Sequence, residues 1–310
     1  MGVKHTEIDN LPGGIIAVNK PSGISSHDVV NKIRRLYNAK RVGHAGTLDP
    51  LAEGVLVVLV GRAAKACEYI SSDKKAYTAT LRLGLTTDTE DITGELLSKH
   101  DGRLPTFDEV AKVCEGFCGK IMQTPPMYSA LKVNGQKLYD LARQGVVIDR
   151  QAREIEVFSI SCRPTDMESD YIISVECSGG TYIRTLCADI GSALGCGGVM
   201  ASLRRDEACG ISLNETYALN EIEEMSEERR QAILIPTERL FDDLASVRLP
   251  EFFEKLFRSG CPVYQSKIKT SILSGRAVKV YGSDGEFFAL GRACEHDGES
   301  VIKSIKIFKL

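Results

Sequence analysis

The chain has 310 residues, 43% hydrophobic and 26% charged, with a formal net charge of −3, the profile of a globular protein long enough for one large domain and one small one. No apolar run approaches a membrane span and Met1–Asn10 is too polar for a signal peptide, so a cytoplasmic location and no membrane partner are expected. The 10 cysteines are scattered, with no Cys-x-x-Cys pair, zinc-like cluster, dinucleotide fingerprint or phosphate loop, so no metal, disulfide framework or nucleotide cofactor is expected. Charge is uneven. Nine acidic residues against three basic lie between Glu215 and Asp243, which leaves +3 for the rest. Lys32, Arg34, Arg35, Lys40 and Arg41 gather before a glycine-rich loop, so the total charge leaves nucleic-acid binding open.

Gly14–Lys20 reads as a buried strand, ended by the turn Pro21-Ser-Gly-Ile24. Ser25 or Ser26 then caps a helix with Asp28 in its first turn and Val29, Ile33 and Leu36/Tyr37 on one face. Its outer face carries Lys32, Arg34 and Arg35, as either a solvated surface or a track for phosphates. In the loop that follows, Gly43 and Gly46 allow close backbone approach or positive φ. Pro50 pushes Asp49 out of the helical region and presents its carboxylate on a stiff peptide. The run Val55–Val60 reads as a strand buried on both faces. A carboxylate so placed suits a nucleophile or general base; Asp-Pro is equally a turn dipeptide whose aspartate bonds its own backbone.

Arg62–Ser71 reads as a short helix, and Lys75–Gly84 as a strand with Tyr77, Ala79, Leu81 and Leu83 on its buried face. Thr86–Gly94 is a polar loop. Thr106–Cys118 is helical, and Cys114 and Cys118, four apart, are expected to share a helix face in a structural role. Gln123–Gly145 is polar, basic and aromatic, either a surface excursion or a grip on nucleic acid through Lys132, Lys137, Tyr139 and Arg143. Arg153–Cys162 and Tyr171–Cys177 form a hairpin. Thr181–Leu194 is a helix whose first turn holds Arg184, where the helix end disfavours a cation and an acidic partner is expected. Met200–Asp206 is a strand and Leu219–Leu234 an acidic helix. From about Val247 short strand patterns and glycine turns suggest a small β-domain.

Gly43-His-Ala-Gly-Thr-Leu-Asp-Pro-Leu-Ala-Glu-Gly-Val-Leu56 closely resembles the catalytic loop of the TruB family of tRNA pseudouridine synthases. Ordered matches continue through Asn19-Lys-Pro-Ser-Gly-Ile-Ser-Ser26, the Leu-Gly-x-x-Thr-Asp-Thr-x-Asp pattern ending at Asp91, the tract from Gln123, Gly179-Gly-Thr-Tyr-Ile-Arg-Thr-Leu186 and Leu203-Arg-Arg205, covering roughly residues 13–240. The resemblance implies an α+β pseudouridine-synthase fold with a central mixed, mainly antiparallel sheet flanked by helices, plus a small C-terminal β-barrel of the PUA type. It divides the chain into a synthase domain over 1–246, with an RNA-clasping insertion at about 123–152, and an RNA-binding domain over 247–310. It implies isomerisation of uridine 55 in the tRNA T-loop by a monomer that needs no cofactor and no protein partner. Asp49, Tyr77 and Arg184 form its catalytic group, with Asp49 essential, Arg184 paired to it, and Tyr77 stacked on the uracil and a candidate base for the C5 proton. His44, Leu203, Lys20, Gly43, Lys132 and Tyr182 fall on the substrate-binding side, Lys20 mainly shaping the wall behind the loop and His44 filling a vacated base stack. Two other readings compete: the sister family of RNA-guided synthases, and an RNA chaperone using the same cleft.

Overall fold

The strand Glu53–Val60 sits where two cores meet. Side chains alternate across a strand, so Leu56, Val58 and Val60 enter one core while Val55, Val57 and Leu59 enter the other. That double burial is why the run carries no polar side chain after Glu53. The structure is a computed structural model and describes residues 13–70, 74–129, 131–133, 135–146 and 148–308, without the side chains of Lys132, Val133, Lys137, Asp140 and Arg143.

Gly14–Lys20 pairs antiparallel with this strand, placing Ile15 opposite Leu59 and Ala17 opposite Val57. Gly198–Ala208 meets its other edge in parallel, with Arg204 opposite Glu53 and Arg205 opposite Gly54. The sheet continues through Lys75–Leu83, Asp170–Cys177, Arg153–Pro164 and Gly119–Gln123, all antiparallel. Tyr217–Ala218 adds in parallel at the opposite end, and Val42–His44 and Ile211–Ser212 pair from the side. The result is the mixed, mainly antiparallel sheet that the resemblance implies.

The helices Ser26–Leu36, Phe107–Glu115 and Ile183–Ala193 cover the first core, joined by Leu219 and Ile222 of the short helix Leu219–Glu224. Ser25 and Asp28 cap the first of them reciprocally, each side chain accepting the other's backbone N–H. Val29, Val30 and Ile33 are its buried face, each stabilising the fold by roughly 1.5–3 kcal/mol through lost apolar surface. On the opposite side of the sheet a 3-10 helix, Gly61–Glu68, supplies Ala63 and Ala66 to the second core. Phe241, Leu290 and Phe308 complete that core from the C-terminal part of the chain. There a second sheet runs Ala245–Arg248, Ala277–Tyr281, Phe287–His296, Glu299–Ile307, Val263–Tyr264 around its own apolar cluster, beneath the helix Glu251–Arg258.

Some local expectations need correction. The acidic helix expected over Leu219–Leu234 is two helices, Leu219–Glu224 and Glu227–Ala232, because Met225 is extended (ψ 146°) and Ser226 caps the second by accepting the Arg229 N–H. The helix expected to reach Cys118 ends at Glu115, so Cys114 is buried while Cys118 is exposed and turns to the carbonyls of Val157 and Phe158. The short helix expected over Arg62–Ser71 is the 3-10 turn already described, and Ser71 itself lies outside the described residues.

Candidate active site

Between Val42–His44 and Glu53–Val60 the chain forms no regular element, so the loop around Asp49 must find its hydrogen-bond partners elsewhere. It finds a donor for every carbonyl from Gly46 to Leu51. Arg205 Nη2 donates to Gly46 O at 3.1 Å and Nη1 to Thr47 O at 3.4 Å. Ser26 Oγ accepts the Leu48 N–H and donates to Leu48 O, both at 2.8 Å. The Ala52 N–H takes Asp49 O at 3.1 Å, and the Gly23 N–H takes Pro50 O at 2.8 Å. Lys20 Nζ reaches Pro50 O at 3.4 Å, and Ser22 Oγ reaches Leu51 O at 2.9 Å. Gly46 bends the entry with φ 91°, the left-handed region where a side chain is strained. A loop tied at each peptide holds its carboxylate in one place, as a reacting group needs.

Arg184 meets that carboxylate. Its Nε donates to Asp49 Oδ2 at 2.9 Å, Nη1 to Thr89 O at 3.2 Å and Nη2 to Tyr128 O at 2.8 Å, with Asp91 Oδ2 at 3.8 Å from Nη1. One planar guanidinium thus gathers the Asp49 loop, the Thr86–Gly94 loop and the root of the 123–152 tract, which an ammonium does not match in geometry. Asp91 is fixed in turn, its Oδ1 accepting from Thr89 Oγ1, the Thr93 N–H and Thr93 Oγ1. Burial raises the Asp49 carboxyl above its usual value, against the pull of Arg184; Asp91 pushes it up further and Lys20 draws it down. Asp49 therefore titrates above an ordinary aspartate while carrying a cation aligned with its ionised form.

The carboxylate faces a cavity of about 800 Å³ whose lining includes Tyr77, Tyr182, Arg184, Leu203 and Tyr139. Tyr77 and Leu203 are each only 8% exposed, packed into the first core with a small remainder of surface on the cavity wall. Tyr182 lies where the helix Ile183–Ala193 begins, and burial raises its phenol above the usual range. Its residue has no side-chain cap; instead the Gln123 amide accepts the Tyr182 N–H at 2.8 Å and donates to Tyr182 O at 3.1 Å. His44 lines a neighbouring cavity of about 480 Å³ that shares Gly46, Lys75 and Gly180 with the first. Burial holds its imidazole below the usual range, so the ring is uncharged at neutral pH.

Not every expected residue lines the cavity. Gly43 sits in the Val42–His44 strand with its open side toward Cys67 Sγ. Lys20 is fully buried behind the loop, donating to Pro21 O, Ile24 O and Pro50 O, and burial pulls its ammonium down to about 8. The side chains of Lys132, Lys137 and Arg143 lie outside the described residues. Among the described residues no three His, Cys, Asp or Glu side chains converge to hold a metal ion, and no helix is long and apolar enough to cross a membrane.

A model of the TruB family pseudouridylate synthase N-terminal domain matches residues 34–183, and one of the tRNA pseudouridylate synthase B C-terminal domain matches 184–242. The tRNA pseudouridine synthase B of Clostridium perfringens (strain 13 / Type A) is 41% identical over 283 residues, 91% of this chain and 95% of that protein. The chain belongs to the TruB family of pseudouridylate synthases. The synthase B proteins of Alkaliphilus oremlandii (40% identity, 96% of this chain and 98% of that protein) and Clostridium tetani (37%, 94% and 98%) are similar over nearly their full length. Among solved structures, a chain of a Cbf5-Nop10-Gar1 complex superposes with a TM-score of 0.73 at 25% identity, covering 97% of this chain and 86% of that one. The pseudouridine-synthase fold is thus shared with that chain.

In this TruB chain the matched span holds Asp49, Tyr77, Arg184 and Leu203, which the structure brings to one cavity. Local reading of the sequence passed over Gln123, Ser26 as a loop tie, and Thr89 and Tyr128 as carbonyl partners of Arg184. Asp91 was visible as the last residue of a TruB pattern. Thr89 falls in the same pattern, and Ser26, Gln123 and Tyr128 in other matched stretches, but the roles they play carry no local signal, since each acts through a partner distant in sequence.

Proposed function

We propose that the protein converts uridine 55 in the T-loop of tRNA to pseudouridine, with Asp49 as the essential carboxylate. The observation that carries this reading is the Arg184-bound Asp49 facing a cavity that also exposes Tyr77 and Leu203. The names of the relatives support tRNA as the substrate. A uridine within a folded loop must leave its stack to reach Asp49, at a cost on the order of a few kcal/mol. Stacking on Tyr77 returns about 1–3 kcal/mol, with Leu203 completing the apolar slot. The N1–C1′ bond breaks, the base rotates, C5 bonds to C1′, the C5 proton leaves and N1 gains one; no electrons are exchanged with a cofactor. Asp49 acts on the nucleoside in its ionised form, and Tyr77 is the candidate to accept the C5 proton. Tyr182 and His44 shape the space around the extruded nucleotides, and Lys132 in the 123–152 insertion clasps the T-arm.

In this reading residues 1–246 are the synthase and 247–310 a PUA-like module that grips tRNA beyond the T-arm. The protein works as a cytoplasmic monomer without guide RNA or an obligatory protein partner, and has an accessory part in tRNA folding.

The test is tritium release from tRNA transcripts labelled at uridine C5, comparing wild type with Asp49→Asn and an intact T-loop uridine with the same site mutated. Release by wild type alone, abolished by the site change, is the expected result. Turnover by Asp49→Asn would sink the assignment of the carboxylate. Release that needs added guide RNA would move the protein to the RNA-guided class, and tight tRNA binding without release would leave it a chaperone.

A further inference from the structure

We propose that Arg205 is a positioning residue for the isomerisation, fixing Asp49 through the backbone of its loop. Arg205 is 1% exposed, and among the described residues no carboxylate lies within ion-pairing distance of it. Burying a guanidinium without a counter-ion is costly, and a leucine or methionine would fill the volume. What the guanidinium does instead is donate to three carbonyls: Val55 O at 2.7 Å, Gly46 O at 3.1 Å and Thr47 O at 3.4 Å. These carbonyls flank Asp49 on both sides. The backbone of the same residue pairs with Gly54, and a Cβ on Gly54 would lie 2.3 Å from Arg205 O. Strand pairing and side chain therefore clamp the loop at its entry and its exit. The Asp49 carboxyl is shifted by burial first, then by Arg184, Asp91 and Lys20. Arg205 sets where Asp49 sits through the backbone on either side of it. A lysine cannot address three carbonyls from one planar fork.

The inference rests on Asp49 being the reacting carboxylate, so Asp49→Asn is measured in the same assay. Arg205→Lys and Arg205→Gln are compared with wild type in single-turnover tritium release across pH, in tRNA filter binding and in thermal unfolding. Displacement of a reacting group by about 1 Å costs about 100-fold in rate, and that slowing is expected in Arg205→Lys. The Kd for tRNA should stay within about threefold, and in Arg205→Lys, which keeps the charge, the acid limb of the rate profile should not move. A wild-type rate in either folded variant would overturn the proposal. So would a defect confined to Kd, which would make Arg205 an RNA contact, or failure of both variants to fold, which would make it a structural anchor only. Turnover by Asp49→Asn would instead defeat the underlying reading, whatever the Arg205 variants do.

Discussion

Arg184 Nε lies 2.9 Å from Asp49 Oδ2 while Nη2 of the same guanidinium lies 2.8 Å from the Tyr128 carbonyl. The ion partner of the candidate carboxylate is therefore also a tie to the segment that begins at Gln123. Arg184→Lys keeps a charge but loses the fork, so it cannot make the Asp49, Thr89 and Tyr128 contacts together. A loss of about 100- to 1,000-fold in single-turnover rate is expected, the scale seen when one preorganised electrostatic partner is removed. Rapid-quench tritium release measures it; a rate within a few-fold of wild type would show that charge alone suffices.

Burial raises the Asp49 carboxyl above the ordinary 3.8 and Arg184 restrains the rise. With the ionised form as the proposed reacting species, activity should fall as pH drops through this raised value. Arg184→Met removes the restraint, so its acid limb moves to higher pH. Asp91→Asn removes a neighbouring negative charge that pushes Asp49 up, so its limb moves to lower pH even as the rate falls. Opposite displacements of the two profiles are the expected result. Displacement in the same direction would show that Asp49 is not the titrating group.

Tyr77 offers the cavity a ring and a hydroxyl, and two variants separate them. Tyr77→Leu gives up stacking and should weaken the capture of the flipped base by about 1–3 kcal/mol. Tyr77→Phe keeps the ring, so tRNA affinity should hold while the rate of C5 proton release drops. Equal affinity and equal rate in Tyr77→Phe would remove the hydroxyl from the chemistry.

Gln123 is 2% exposed and satisfies both backbone groups of Tyr182 at the start of the helix that carries Arg184. Gln123→Ala leaves the Tyr182 N–H without its partner, while Tyr182 O keeps the Leu186 N–H at 3.0 Å, so the cost is about 1–3 kcal/mol for the one group left unsatisfied. Urea unfolding should show that loss, accompanied by a lower single-turnover rate because the first turn no longer holds Arg184 in register. A destabilised variant with full single-turnover activity would confine Gln123 to stability.

Local patterns in the sequence account for much of this molecule. The unbroken run Val55–Val60, the alternation from Tyr77 to Leu83 and the cap at Ser25 specify strands and a helix through backbone periodicity and neighbouring side chains, and the structure has them. The Asp49-Pro50 loop was legible for the same reason, because proline restricts its predecessor whatever the rest of the chain does. Where periodicity and local capping competed, as at Ser226, the cap divided what reads as one amphipathic helix. The placement of the candidate site was decided elsewhere. Arg205 and Gly46 are 159 residues apart, Gln123 and Tyr182 are 59 apart, and Ser26 and Leu48 are 22 apart. A buried arginine or glutamine shows in sequence only as a polar residue in an apolar element. Which carbonyl it satisfies depends on strand register and on how elements pack, so only the tertiary structure joins Arg184 and Arg205 to the loop that holds Asp49.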